Sequence, residues 1–155
     1  SLRLTGSLDT HFDNWDTDQP ADQQAAFEVI NQILTDLKGT PYPDGSGDNW
    51  LDYTTVVAFS EFCRTPLINT RGGRDHHPVN ACMLWGAGLK KGRVIGASSE
   101  VGMLTQGVDL TTGLPDPRGH VIRPEDILGT VMATAGMDGS ILGREVTYIP
   151  ALAAT

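Results

Sequence analysis

Apolar residues return at helical spacing in two stretches of the chain. Ala26, Phe27, Ile30, Ile33, Leu34 and Leu37 make one stripe; Pro20 stands at its start and Gly39 where a C-cap belongs. Acids ahead of this stripe, among them Asp13, Asp16 and Asp18, complement a helix N-terminus. The second stripe is Ile127, Leu128, Val131, Met132 and Ala135, opened by Pro124, Glu125 and Asp126 and stopped by Gly136. Shorter apolar runs read as strands. Leu2–Thr5 alternates, Thr54–Phe59 and Ala81–Trp85 are continuous, Val94–Ile95 is brief, and Glu145–Ile149 suits a last edge strand. The continuous runs predict strands buried in a parallel sheet. Gly39–Asn49 is a turn-rich loop, Thr65–Asn80 is polar, and Ser98–Gly119 is a long hairpin or excursion. Strands separated by helices and loops predict an α/β fold with a mostly parallel sheet.

Composition narrows the class. A chain of 155 residues with 39% apolar and 19% charged residues is long enough to bury a core and is not biased toward disorder. A net charge of -8 disfavours nucleic-acid and anionic-membrane surfaces as partners. No apolar stretch has the length of a membrane span, and the first residues lack the basic-then-apolar layout of a signal peptide. Cys63 and Cys82 have neither zinc-type spacing nor a disulfide framework around them, and are expected as buried free thiols.

Ligands of open α/β sheets sit at the carboxyl ends of strands. Asp9 and His11 follow the first strand candidate, Glu61 follows the second, and Asp75, His76 and His77 precede the third. Carboxylates and imidazoles gathered on such loops suit a divalent metal; the plainer alternative is a satisfied polar network. Arg64, Arg71 and Arg74 flank these groups, where they can clamp a phosphate or sulfate or pair with the acids. The acidic stretch from Asp9 to Asp18 lacks calcium-loop spacing, and Gly86-Ala87-Gly88 opens no helix of the dinucleotide-binding kind. His120 stands apart and is read as non-catalytic. No Gly-x-Ser-x-Gly elbow is present.

Two motifs are distinctive together: Ser60-Glu61-Phe62-Cys63-Arg64-Thr65-Pro66 and Gly73-Arg74-Asp75-His76-His77-Pro78. With Asp9-Thr10-His11 before them, and Gly86 to Ala97 and Arg123 to Leu128 after, they make the chain resemble the bacterial sulfatase-like proteins of "domain of unknown function 1501", in the alkaline phosphatase superfamily. The resemblance spans most of residues 8 to 138. It implies a three-layer α/β/α, alkaline-phosphatase-like domain with a mostly parallel sheet. Residues 1–155 would then be the C-terminal part of a longer domain, with the Thr, Ser or modified Cys nucleophile upstream.

The resemblance further implies that Asp9 and His11, with His76 or His77, hold one metal, and that Asp75 ligates or supports it. Glu61 falls where relatives carry an aspartate for a second metal, Phe62 replaces the neighbouring histidine, and Cys63 replaces a glycine. Arg64 or Arg74 would stabilise charge on the transferred group. Zinc is the first choice of ion, then manganese or calcium. The substrate would be a small-molecule or polysaccharide anionic ester, phosphate or sulfate, and the location periplasmic or secreted. The competing expectation is a non-catalytic, metal-stabilised binding or scaffold protein.

Overall fold

A computed structural model describes residue 4 and residues 8–154. The strand expected at Leu2–Thr5 lies outside the described residues apart from Leu4, which has no strand geometry. The described elements are α1 (Trp15–Gly39), β1 (Thr55–Phe59), β2 (Cys63–Arg64), β3 (His76–His77), β4 (Cys82–Gly86) and α2 (Pro124–Thr134), with short 3-10 turns at Trp50–Asp52 and Gly139–Leu142. Among the described residues no helix is long and apolar enough to cross a membrane.

The expected three-layer α/β/α fold with a mostly parallel sheet is not what forms. β1 pairs antiparallel with β4, from Thr55 opposite Gly86 to Phe59 opposite Cys82. β2 pairs antiparallel with β3, Cys63 opposite His77 and Arg64 opposite His76. Both sheets have two strands. The reason lies in the connection. A parallel pair needs a crossover of a dozen or more residues, usually a helix. The polar, glycine-bearing residues 60–81 form no helix and fold into the β2–β3 hairpin instead. Nor are β1 and β4 covered on both faces: their residues are half-buried or exposed, with Phe59 at 73% and Met83 at 45% exposure. The run Thr-Val-Val-Ala-Phe reports strand propensity and not depth.

The chain forms two compact units. One comprises the residues up to Asp52 together with Ser60–Ala81; the other comprises Tyr53–Phe59 and the residues from Cys82 onward. In the first unit α1 begins before the expected Pro20, which sits inside the helix. Proline removes one helical hydrogen bond, and the turn ahead of it is held by Asp18 N donating to the Asn14 carbonyl at 2.9 Å. Asp16 and Asp18 occupy the first turn and Lys38 the last, each favourable to the helix dipole. Ile30, at the centre of the expected stripe, is the buried residue of this helix, and Phe27 stays half exposed. The loop after Gly39 closes on itself: Tyr42 N donates to the Asp48 carbonyl, and Tyr42 and Trp50 meet edge to face.

The second unit holds the main core. Leu89, Ile149, Ala151 and Leu152 are buried, with Leu84, Ile95, Leu110, Ile122, Ile127 and Val131 packed on them. α2 starts at Pro124 as expected and ends at Thr134, two residues before Gly136 turns the chain with φ +73°. Neither Val94–Ile95 nor Glu145–Ile149 forms a strand. The latter finds another partner. Thr147 N donates to Asp126 Oδ1 at 2.8 Å and Ile149 N to Thr130 Oγ1 at 3.0 Å, so side chains of α2 take the place of a neighbouring strand. The Ser98–Gly119 excursion is held by isolated bridges, two of them at the buried Val108. Cys63 and Cys82 are free thiols as expected, but half-buried; burial pushes the Cys82 thiol up.

Asp126 joins three segments. Its fully buried carboxylate also accepts from Arg123 N at 2.9 Å and pairs with His120 Nε2 at 2.8 Å. Burial alone would raise its pKa. The His120 hydrogen bond and the Thr147 and Arg123 amides outweigh that and hold the carboxyl below the usual range. A lowered pKa stabilises the fold fully above the unfolded-state value, and that stabilisation is lost as pH falls through the folded value. Asp126→Ala should therefore lower unfolding free energy by roughly 3 kcal/mol at neutral pH. The difference from wild type should shrink below about pH 4, as urea denaturation at several pH values would show.

Candidate metal centre

The centre belongs to the first unit and starts from a docked loop. Arg74 N donates to the Thr10 carbonyl at 3.0 Å, and Phe12 and Gly72 form an isolated antiparallel bridge. The contact is close enough that a Cβ on Gly73 would overlap the His11 carbonyl carbon and the Phe12 nitrogen, so only glycine fits there. Thr10 is buried, with its hydroxyl donating to Gln19 Oε1 of α1 at 2.6 Å.

Asn69 organises the turn on the other side. Its Oδ1 accepts from Arg71 N and Gly73 N, and its Nδ2 donates to the His11 carbonyl at 3.2 Å and to Asp75 Oδ1 at 2.9 Å. One amide thus shapes the turn, holds the histidine backbone and orients the aspartate.

His11 lies at the middle. Its Nδ1 is 3.1 Å from Asp75 Oδ1. The Asn69 amide, followed by His11, holds the Asp75 carboxyl below the usual carboxylate range. An ionised carboxylate only accepts, so Nδ1 carries the hydrogen of this pair, an arrangement that in the neutral ring leaves the lone pair on Nε2. Around that Nε2 stand His76 Nε2 at 2.9 Å, Arg64 NH1 at 3.1 Å and Asp9 Oδ1 at 3.3 Å. One donor atom each from Asp9, His11 and His76 lies within 4.8 Å of the others. Donors at about 2.1 Å from a tetrahedral cation stand about 3.4 Å apart, close to the separations at His11 Nε2. The donor set of two imidazoles and one carboxylate, backed by a carboxylate on the second ring nitrogen of His11, fits a divalent ion of the zinc type.

The β2–β3 hairpin brings the remaining groups. Successive residues of a strand point to opposite faces: His76 faces the cluster, while His77 Nδ1 accepts from Val79 N at 3.3 Å. Phe62 stacks on the His76 ring, centroids 3.7 Å apart at 28°, and limits how that ring can turn. Glu61 is exposed and outside the group of three donors.

Arg64 and Arg74 are engaged in holding the loops. Arg64 NH1 donates to the Arg74 carbonyl at 3.1 Å, and NH2 donates to the Leu8 carbonyl at 2.6 Å and to Asp9 Oδ1 at 3.3 Å. Its side chain is only 12% exposed. Arg74 NH1 donates to the Thr65 carbonyl at 3.0 Å and the Pro66 carbonyl at 2.5 Å, and its guanidinium carbon lies 4.0 Å over the Trp15 ring. Of the residues expected at the site, Asp9, His11, Arg64, Asp75 and His76 come together, with Arg74 bracing the loop; Glu61 and His77 do not join them. Asn69 went unrecognised in the sequence. The signal for it was the Asn ahead of Arg-Gly-Gly, a composition that favours a side-chain-closed turn.

The family model described as "Protein of unknown function (DUF1501)" matches residues 7–138, which include every member of this cluster. No curated protein and no solved structure matches the chain.

Asn69→Ala removes the largest influence that lowers the Asp75 pKa. An NMR titration of the Asp75 carboxyl should move upward in the variant, and thermal unfolding should fall, with a loss of about 2 kcal/mol for the amide's four contacts.

Proposed function

Because the chain belongs to the DUF1501 family, we propose that its Asp9–His11–His76 cluster holds a divalent metal ion and that the protein, at full length, hydrolyses phosphate or sulfate esters. The observation that carries this is the convergence of three donor atoms from two distant stretches of sequence on one small volume, with the tautomer of His11 set by Asp75. The order and wording of the motifs support it too, since they resemble those of sulfatase-like proteins in the alkaline phosphatase superfamily. Zinc suits the two imidazoles better than calcium does, and manganese is the next choice. A small-molecule or polysaccharide ester as substrate, and a periplasmic or secreted location, accompany the same reading.

Within it each side chain has a defined task. Asp75 holds the Nδ1 hydrogen of His11 and leaves Nε2 as a donor. Phe62 keeps the His76 ring in one orientation. Arg64 keeps Asp9 and His11 at their separation through Leu8 and Arg74. A bound divalent ion would supply Lewis acidity at an ester oxygen.

One feature favours the second reading, a metal-stabilised scaffold without catalysis. The Arg64 guanidinium already meets both His11 Nε2 and Asp9 Oδ1, so the cluster is held in shape by a cation of the chain itself.

Elemental analysis of chain purified without chelator should find close to one zinc or manganese per chain, lost in His11→Ala and His76→Ala and kept in His77→Ala and Glu61→Gln. A folded wild-type chain that neither carries nor takes up a divalent ion would overturn the metal reading. Metal bound by the full-length protein without turnover of aryl phosphate or aryl sulfate would favour the scaffold.

A further inference from the structure

Three arginines surround the cluster, and they differ in what their guanidinium groups still have to offer. Arg64 donates to backbone carbonyls and to the cluster itself, while Arg74 gives NH1 to two carbonyls and keeps its unpaired Nε buried, out of reach of an incoming anion. Arg71 is hydrogen-bonded through its backbone, whose N–H donates to Asn69 Oδ1 at 2.9 Å. Its side chain is 54% exposed. The guanidinium carbon lies 4.8 Å over the ring of Phe12, the residue next to His11. NH2 is 3.8 Å from Asp75 Oδ1, an ion-pair distance too long for a hydrogen bond. Arg71 is therefore held beside the cluster by a ring and a charge while its fork of N–H donors has no hydrogen-bonded acceptor among the described residues.

We propose that Arg71 is the anion-binding residue of this site and takes the tetrahedral oxyanion of a phosphate or sulfate group. The assignment rests on the metal-centre reading for its neighbour but not for its own chemistry. A chain of net charge -8 repels anions, and the site places two carboxylates, Asp9 and Asp75, beside His11. An anion approaching it needs a cation whose hydrogen bonds are not already spent. Arg71 is that cation, and its planar fork matches two oxygens of such a group at once. Over Phe12 the guanidinium stays at ion-pair distance from Asp75 and keeps its hydrogen-bonding capacity for an anion. A metal-bound ester and Arg71 would then hold the substrate from two directions, the charge stabilisation expected of Arg64 or Arg74 falling to the residue between them in sequence.

The test is calorimetric titration of the whole chain with inorganic phosphate, without zinc and with one equivalent of zinc, beside a zinc titration of each variant. Arg71→Gln should bind zinc as the wild type does and weaken phosphate binding about tenfold. Arg71→Lys keeps the charge and loses the fork; it should weaken phosphate binding about threefold, and it carries the test should the Gln variant fail to fold. Phosphate affinity unchanged in the substituted chain, with zinc bound normally, overturns the assignment and leaves the metal reading standing. Phosphate binding that depends on Arg71 in a chain that takes up no zinc sinks the metal reading and keeps the assignment. A wild-type chain that binds no phosphate under either condition overturns the assignment outright.

Discussion

The backbone of this protein has to satisfy its hydrogen bonds with little sheet to do it. Outside two helices and two two-stranded sheets, the described chain is turns and irregular segments. Buried N–H and C=O groups cost free energy unless paired, so side chains take over the role of neighbouring strands. Arg64 serves the carbonyls of Leu8 and Arg74, Arg74 those of Thr65 and Pro66, and Asn69 both the amides of its own turn and the His11 carbonyl. In the other unit Asp126 and Thr130 do the same for Arg123, Thr147 and Ile149. Polar side chains here are structural before they are chemical.

That division explains the character of the candidate centre. A loop carrying Asp9 and His11 and a hairpin carrying His76 have no shared sheet to register them. Their separation is set by Arg64, which stands on the hairpin and reaches His11 and Asp9 on the loop, and by Asn69, which ties His11 to Asp75. The same groups that hold the loops therefore set the geometry of the cluster. Arg71 is the exception, because its neighbours restrain it without consuming its donors.

Much of this was legible in the residues. Both helices were, because their apolar stripes recur over two or more turns and α2 carries Pro124 and Gly136 at its ends. The two longer strands were located within a residue or two. Asp9, His11, Asp75 and His76 stood out because imidazoles and carboxylates cluster in segments of turn composition. Two limits were physical. A five-residue apolar run has the same composition whether its sheet is parallel and buried or antiparallel and half exposed, so Thr55–Phe59 misled as to fold. Glu145–Ile149 has strand composition, but its amides are satisfied by Asp126 and Thr130, which no periodicity along the chain reveals.

The amino-acid sequence by itself determined which segments are helical, where the turns fall, which residue types can ligate a cation and that the chain is acidic, since each depends on neighbours within a few positions. Tertiary structure alone decided that residues 60–81 return as a hairpin, that His76 faces the cluster and His77 faces away, and that Asp75 meets Nδ1 of His11. It also decided which of three nearby arginines keeps an exposed fork of donors. These depend on contacts between residues tens of positions apart, and a guanidinium's availability is settled by the carbonyls that happen to reach it.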